Sequence, residues 1–160
     1  MYKYLLVIAA IAASLFFFSS CNKDNGDFDV EEWKTSNLEF LNENAKIESV
    51  VVTNSGLQYQ VISEGKENGK SPTANDFVRC NYKGMFINGQ IFDSTYLDGN
   101  PALFKLSNVI RGWVEGLQYM KEGERFRFVI PYDLGYGASG YATIPPYSTL
   151  IFDVELLEVL

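Results

Sequence analysis

The chain contains no histidine. A Ser-His-Asp or Cys-His site therefore cannot be assembled, nor can the usual zinc sites, and covalent hydrolysis drops out of the expected chemistry. No metal and no cofactor are expected. Cysteine is scarce as well: Cys21 and Cys80 are the two present. With Cys21 committed to lipid, Cys80 has no intramolecular partner, which excludes a disulfide framework and leaves Cys80 as a buried thiol. Positive charge is also in short supply, with 13 Lys and Arg against 20 Asp and Glu and a net charge of −7. Nucleic acid and anionic membrane surfaces are held by clustered cations, so no nucleic-acid partner is expected.

One apolar run stands out at the N-terminus. Lys3 supplies a positive start, Leu5 to Phe18 carry no charge, and Ser19-Ser20 are small. This is the pattern of a signal peptide over 1–20, and the run is short for a membrane span. Cys21 follows immediately, where a lipoprotein carries its diacylated cysteine, although Phe18 stands where that signal prefers Leu. An ordinary secretory peptide with a chance cysteine is the alternative. Two acyl chains anchor a protein stably where one is marginal. Residues 21–29 then read as lipidated Cys21 and a flexible polar tether. The remaining length, about 140 residues, suits one domain with a real core.

Residues 30–47 read as a short amphipathic helix, with Val30, Trp33, Leu38 and Leu41 on one side and Phe40 offset. In 48–160 the periodicity changes to two. Leu57, Tyr59 and Val61 alternate with Gln58 and Gln60; Val78, Cys80 and Tyr82 share one face; Phe126, Phe128 and Ile130 alternate with Arg125 and Arg127; Leu150, Phe152, Val154 and Leu156 share another face. Asn88-Gly89 is a strong hairpin turn. Trp113, Leu117 and Met120 form a helical stripe that Gly123 stops. The sum is α+β, about five antiparallel strands wrapped on one short helix.

Aromatic residues concentrate around that helix. Val109-Ile110-Arg111-Gly112-Trp113 sets an indole at its first turn, and Tyr82, Phe92-Asp93-Ser94, Phe104, Tyr136-Gly137 and Phe152 come from separate strands and loops that could converge on one small apolar pocket. Taken singly, each is as well explained by core packing. As an ordered set, from about Asn44 to Leu160, they resemble the FKBP-type peptidyl-prolyl cis-trans isomerases, specifically the bacterial Mip-like branch.

That resemblance implies an FKBP-like fold, with 48–160 as the isomerase domain, and assigns roles by motif position. Trp113 would be the platform under a proline ring. Tyr82, Phe92, Val109, Ile110 and Phe152 would be its walls, with the Ile110 amide a donor, and Phe104 would be a further substrate-binding residue. Tyr136 would offer its hydroxyl to a substrate carbonyl, Asp93 would set the pocket's polarity, and Tyr141 and Ile144 would form the rim of an overhanging loop at Ile144-Pro145-Pro146. Two places depart from the pattern. Tyr96, Leu97 and Asp98 stand where an Arg partner of the Asp is frequent, and Ala102 stands where many relatives have a second aromatic.

The implied activity is prolyl isomerisation of exported proteins, with Xaa-Pro segments of unfolded or nascent chains as partners and a bacterial cell envelope as the location. The protein would be lipid-anchored at Cys21, in the periplasm or at the outer membrane. The helical region is one that often mediates dimers in Mip-like relatives, so either a weak homodimer or a helix packed on its own domain is expected. A chaperone or proline-peptide binding module with little turnover is the alternative function.

Overall fold

The computed structural model describes residues 28–160, so the expected leader over 1–20, Cys21 and the tether up to Asp27 lie outside the described residues. Helix α1 (Val30–Asn44) starts where Asp29 caps it, the carboxylate accepting from the amides of Glu31 at 2.9 Å and Glu32 at 3.1 Å. Those two first-turn acids also face the positive end of the helix dipole. The inward line of α1 differs from the expected stripe. Leu38 is 41% exposed, while Asn37, only 1% exposed, takes the place between Trp33 and Leu41. The cause is what lies opposite. Asn37 Oδ1 accepts from the Thr149 amide at 2.7 Å, and its Nδ2 donates to the Trp33 carbonyl at 2.7 Å. An apolar residue there would take away the partner of a buried amide.

The strands are β1 (Val51–Val52), β2 (Gln58–Ser63), β3 (Phe77–Met85), β4 (Ile91–Ser94), β5 (Ala102–Lys105), β6 (Arg125–Ile130) and β7 (Leu150–Val159); α2 (Thr95–Asp98) and α3 (Arg111–Leu117) interrupt them. All pairings are antiparallel, in the order β1-β2-β6-β7-β3-β4. β4 pairs with the second half of β3 and β5 with its first half, so α2 carries the chain off the sheet and back along one strand. The architecture is α+β as expected, with seven strands rather than about five. The surplus comes from very short elements, such as the two-residue β1, that carry no usable alternation.

One face of the sheet forms the core, with Val78, Cys80 and Tyr82 of β3, Phe126, Phe128 and Ile130 of β6, and Leu150, Phe152, Val154 and Leu156 of β7 all buried. Helix α3 lies close against it because Gly112 and Gly116 face β6. A Cβ on Gly112 would come within 2.5 Å of Ile130, and one on Gly116 within 2.7 Å of Phe128. That approach buries Trp113, Leu117 and Met120. Cys80 is a free thiol in this core, its pKa pushed up to about 12 by burial, which keeps it unreactive. The Asn88-Gly89 turn closes the β3–β4 hairpin, with Gly89 at φ +82° where a side chain would be strained.

Strand β2 departs from its expected alternation. Gln58 is buried and Val61 is 44% exposed. Helix α1 covers the start of the strand on its other face, where Gln58 Nε2 donates to the Leu41 carbonyl at 2.9 Å and its Oε1 accepts from Asn44 at 2.7 Å. Val61 shares a face with Phe126 but lies beyond the β1 pairing, at an open edge.

Candidate active site

Trp113 occupies the first turn of α3, its amide donating to the Ile110 carbonyl at 2.9 Å. Three rings stand around the indole: Tyr82 at 5.2 Å and 90°, Phe152 at 5.3 Å and 84°, and Phe104 at 5.5 Å and 83° between centroids and planes. The indole is therefore a floor with upright aromatic walls, an edge-to-face arrangement that ring quadrupoles favour. Trp113 is only 3% exposed, and its Nε1–H has no hydrogen-bond acceptor among the described residues. Leaving such a donor unpaired costs about 1–3 kcal/mol, which is the kind of cost tolerated at functional sites.

Phe92 extends the wall. Its ring meets Phe152 at 5.5 Å and 89° and Phe86 at 4.9 Å. Gly84 permits this contact, since a Cβ there would sit 2.7 Å from Phe92 and 2.8 Å from Phe152. Next to Phe92, Asp93 accepts a hydrogen bond from the Tyr82 hydroxyl, Oη to Oδ2 at 2.6 Å, short as expected when the acceptor is a carboxylate. Tyr82 is held from its main chain too. The Thr95 hydroxyl lies 2.9 Å from its amide and 3.3 Å from its carbonyl, standing in for a strand partner where α2 leaves the sheet.

The opposite side is built from irregular chain. Short 3₁₀ turns at Tyr132–Leu134 and Gly137–Ser139 flank Tyr136, and an isolated bridge joins Tyr141 to Ile144. Arg111 Nη2, at the start of α3, donates to the Asp133 carbonyl and ties this stretch to the helix. Tyr136 stacks on Tyr141 at 5.6 Å and 14°. Burial, then the nearby Asp93 carboxylate and then Tyr141, raise the Tyr136 phenol above the ordinary tyrosine value, so the hydroxyl keeps its proton and can donate.

The resulting cleft has a volume of about 300 Å³ and is lined by Tyr82, Phe92, Asp93, Phe104, Asn108, Val109, Ile110, Trp113, Tyr136 and Phe152. Asp93 is the one charged lining residue, and its carboxylate is already engaged. All six residues expected to be catalytic line this space, with Phe104, Val109 and Ile110. Tyr141 and Ile144 do not. Tyr141 is 68% exposed on the outside of the Tyr136 ring, and Ile144 is buried in the core cluster. The rim of the cleft is thus Tyr136 itself, with Tyr141 behind it. Asn108 was not anticipated from sequence; its adjacency to Val109, at the end of the 3₁₀ turn Leu106–Asn108, was the available signal. A small cleft with an aromatic floor, one phenol donor and no free base is equipped to bind and desolvate a compact apolar ring with a polar backbone around it.

Comparison with known proteins gives a consistent set of relatives. A family model described as FKBP-type peptidyl-prolyl cis-trans isomerase matches residues 68–157, and one described as the domain amino-terminal to that isomerase matches 17–61. The FKBP-type 22 kDa peptidyl-prolyl cis-trans isomerase of Escherichia coli is 48% identical over 124 residues, covering 77% of this chain and 59% of the relative. The crystal structure of FkpA from Escherichia coli superposes with a TM-score of 0.77 at 44% identity, covering 81% of this chain and 60% of that one. A peptidyl-prolyl cis-trans isomerase structure from Pseudomonas syringae pv. tomato has a TM-score of 0.75 at 32% identity, covering 84% of this chain and 98% of that one. The chain spans about three fifths of the length of the 22 kDa relative and about half of the length of FkpA from Escherichia coli.

Proposed function

This chain belongs to the family of FKBP-type peptidyl-prolyl cis-trans isomerases, and from that premise we propose that it accelerates the cis-trans rotation of Xaa-Pro bonds in exported polypeptides, without a covalent intermediate. The observation that carries the reading is the floor of Trp113 with Tyr82, Phe104 and Phe152 upright around it. Rotation about a prolyl amide must break resonance, against a barrier of about 18–20 kcal/mol, and water favours the planar, charge-separated amide. The twisted amide is less polar, so an apolar cleft binds it better than either planar isomer. In this reading the proline ring lies on Trp113 beside Phe92 and Phe152, and the Tyr136 hydroxyl and the Ile110 amide donate to flanking carbonyls. Asp93 holds the Tyr82 hydroxyl out of the substrate's way.

A protease-coupled assay on a Xaa-Pro peptide tests this directly. Turnover that saturates with peptide is expected; binding of unfolded protein with no acceleration of isomerisation would put the chaperone reading in its place.

The same proposal extends to location. The apolar run Leu5 to Phe18 followed by Cys21 supports a leader over 1–20 and a lipid anchor holding 48–160, the isomerase domain, at a bacterial cell envelope. No helix of the described residues is long and apolar enough to cross a membrane. Cys21→Ser is expected to abolish lipid incorporation and move the protein out of the membrane fraction; unchanged partition would count against the anchor. A homodimer through α1 must use its outer face, around the exposed Leu38, because Trp33, Asn37 and Leu41 are committed inward. Sizing the chain against a form lacking residues before Glu48 tests it, with a halved mass as the expected sign of a dimer.

A further inference from the structure

Tyr136 and Tyr141 stand on a stretch of chain, 136–147, that has little regular pairing of its own, yet its far end is anchored by an element from the other end of the sequence. Trp33 Nε1 donates to the Ser148 hydroxyl at 3.1 Å, and that hydroxyl donates to the Pro145 carbonyl at 2.8 Å. One turn along α1, Asn37 accepts from the Thr149 amide at 2.7 Å, and the Thr149 hydroxyl lies 3.4 Å from the Asn37 carbonyl. Between them, Lys34 Nζ sits 4.6 Å above the Tyr147 ring.

A second observation points the same way. Tyr147 holds φ +58°, a left-handed conformation that a tyrosine keeps only when its surroundings impose it. Those surroundings are the Lys34 cation on its ring, an edge contact with Tyr132 at 5.2 Å, and a hydrogen bond from its amide to the Gly137 carbonyl at 3.2 Å. The last of these reaches the residue after Tyr136. A continuous path of hydrogen bonds and ring contacts therefore runs from α1 through 145–149 to Gly137, whose backbone carries Tyr136 at the rim of the cleft.

We propose that α1 is a positioning element for the cleft: Trp33, Lys34 and Asn37 fasten the 145–149 segment and thereby hold Tyr136 where its hydroxyl reaches the substrate. The inference rests on the isomerase reading for its kinetic consequence, and on geometry alone for its mechanical one. Helix α1 is then more than a spacer between an anchor and a domain. Its polar inward residue, Asn37, grips main chain that an apolar side chain could not.

The test uses Asn37→Ala and, because that change could unfold the chain, Trp33→Phe, which keeps a smaller aromatic ring against Phe86 while removing the N–H donor. Both are measured for amide hydrogen exchange and for kcat and KM on a Xaa-Pro peptide, in the parent and in a Tyr136→Phe background. Faster exchange confined to 137–147 is expected, with kcat/KM lower by roughly 3- to 30-fold for Asn37→Ala and less for Trp33→Phe, mostly through kcat. In the Tyr136→Phe background the loss should shrink, because the two changes act on the same hydroxyl. A lower Tm with kcat/KM unchanged, or a loss of equal size in both backgrounds, would overturn the proposal. If the parent itself does not isomerise, the isomerase reading fails separately, and the exchange pattern, with peptide affinity in place of kinetics, still decides whether α1 holds the rim.

Discussion

Tyr82, Phe104, Trp113 and Phe152 stand on β3, β5, α3 and β7, where ladder hydrogen bonds and a shared core fix each ring, whereas Tyr136 stands between two 3₁₀ turns and depends on contacts with distant chain. The two sides of the cleft thus obtain their rigidity differently. On the first side the rings that would hold a substrate are also the rings that hold the domain together, so recognition and stability are inseparable there. On the second, Tyr136 is exposed enough to be altered without opening the core, and its placement comes from side-chain hydrogen bonds that could be removed one at a time. Separating these roles gives experiments of graded size.

The largest effect is expected from cutting a ring out of the first side. Trp113→Ala should destabilise the fold by about 3–5 kcal/mol, the usual cost of removing a buried large aromatic, read as a lower urea midpoint. The matching truncation on the second side, Tyr141→Ala, removes a ring that is 68% exposed and should change stability by no more than about 0.5 kcal/mol. Equal losses at the two positions would break the contrast.

Phe92→Ala falls between them. Its half-buried ring touches Phe86 and Phe152 but is not central to the core, so the variant should fold. Loss of an apolar wall should lower kcat/KM by at least about 10-fold, or about 1.4 kcal/mol of transition-state stabilisation. A folded Phe92→Ala protein that isomerises a Xaa-Pro peptide as fast as the parent would mean the proline binds elsewhere.

The same contrast explains what was legible in the sequence. Period-two alternation in β3, β6 and β7 announced the buried residues of the first side, because side chains on a strand with one buried face must alternate. The Val109-to-Trp113 motif marked the floor for a similar reason, a short helix with an apolar inward stripe. Signals of that kind fail where burial is polar or the chain is irregular. Asn37 and Gln58 are buried through hydrogen bonds to main chain, which hydropathy cannot register, and so the inner line of α1 and the outer face of β2 were misread. Ile144, adjacent to two prolines in an overhanging loop, suggested a rim residue; the Tyr141–Ile144 bridge turns it into the core instead. The path from Trp33 to Ser148 links residues 115 apart, and no local pattern could have revealed it.

The smallest effect belongs to a single hydroxyl. Tyr136→Phe keeps the ring, and with it the stack on Tyr141, while removing one donor, so the fold should be untouched and kcat/KM should fall by an amount equivalent to about 0.5–1.5 kcal/mol. The pH dependence identifies the group. Burial and the neighbouring Asp93 raise the phenol above the ordinary tyrosine value, so the neutral, donating form is favoured in the folded protein. The hydroxyl's contribution should therefore be fully present through neutral and mildly alkaline pH and be lost only as pH climbs through the raised value. The parent should show that alkaline decline in kcat/KM at temperatures where it remains folded, and Tyr136→Phe should not show it, having no proton to lose at that position. An identical alkaline limb in both proteins would assign the titration to another group and leave Tyr136 as a packing residue on the weaker side of the cleft.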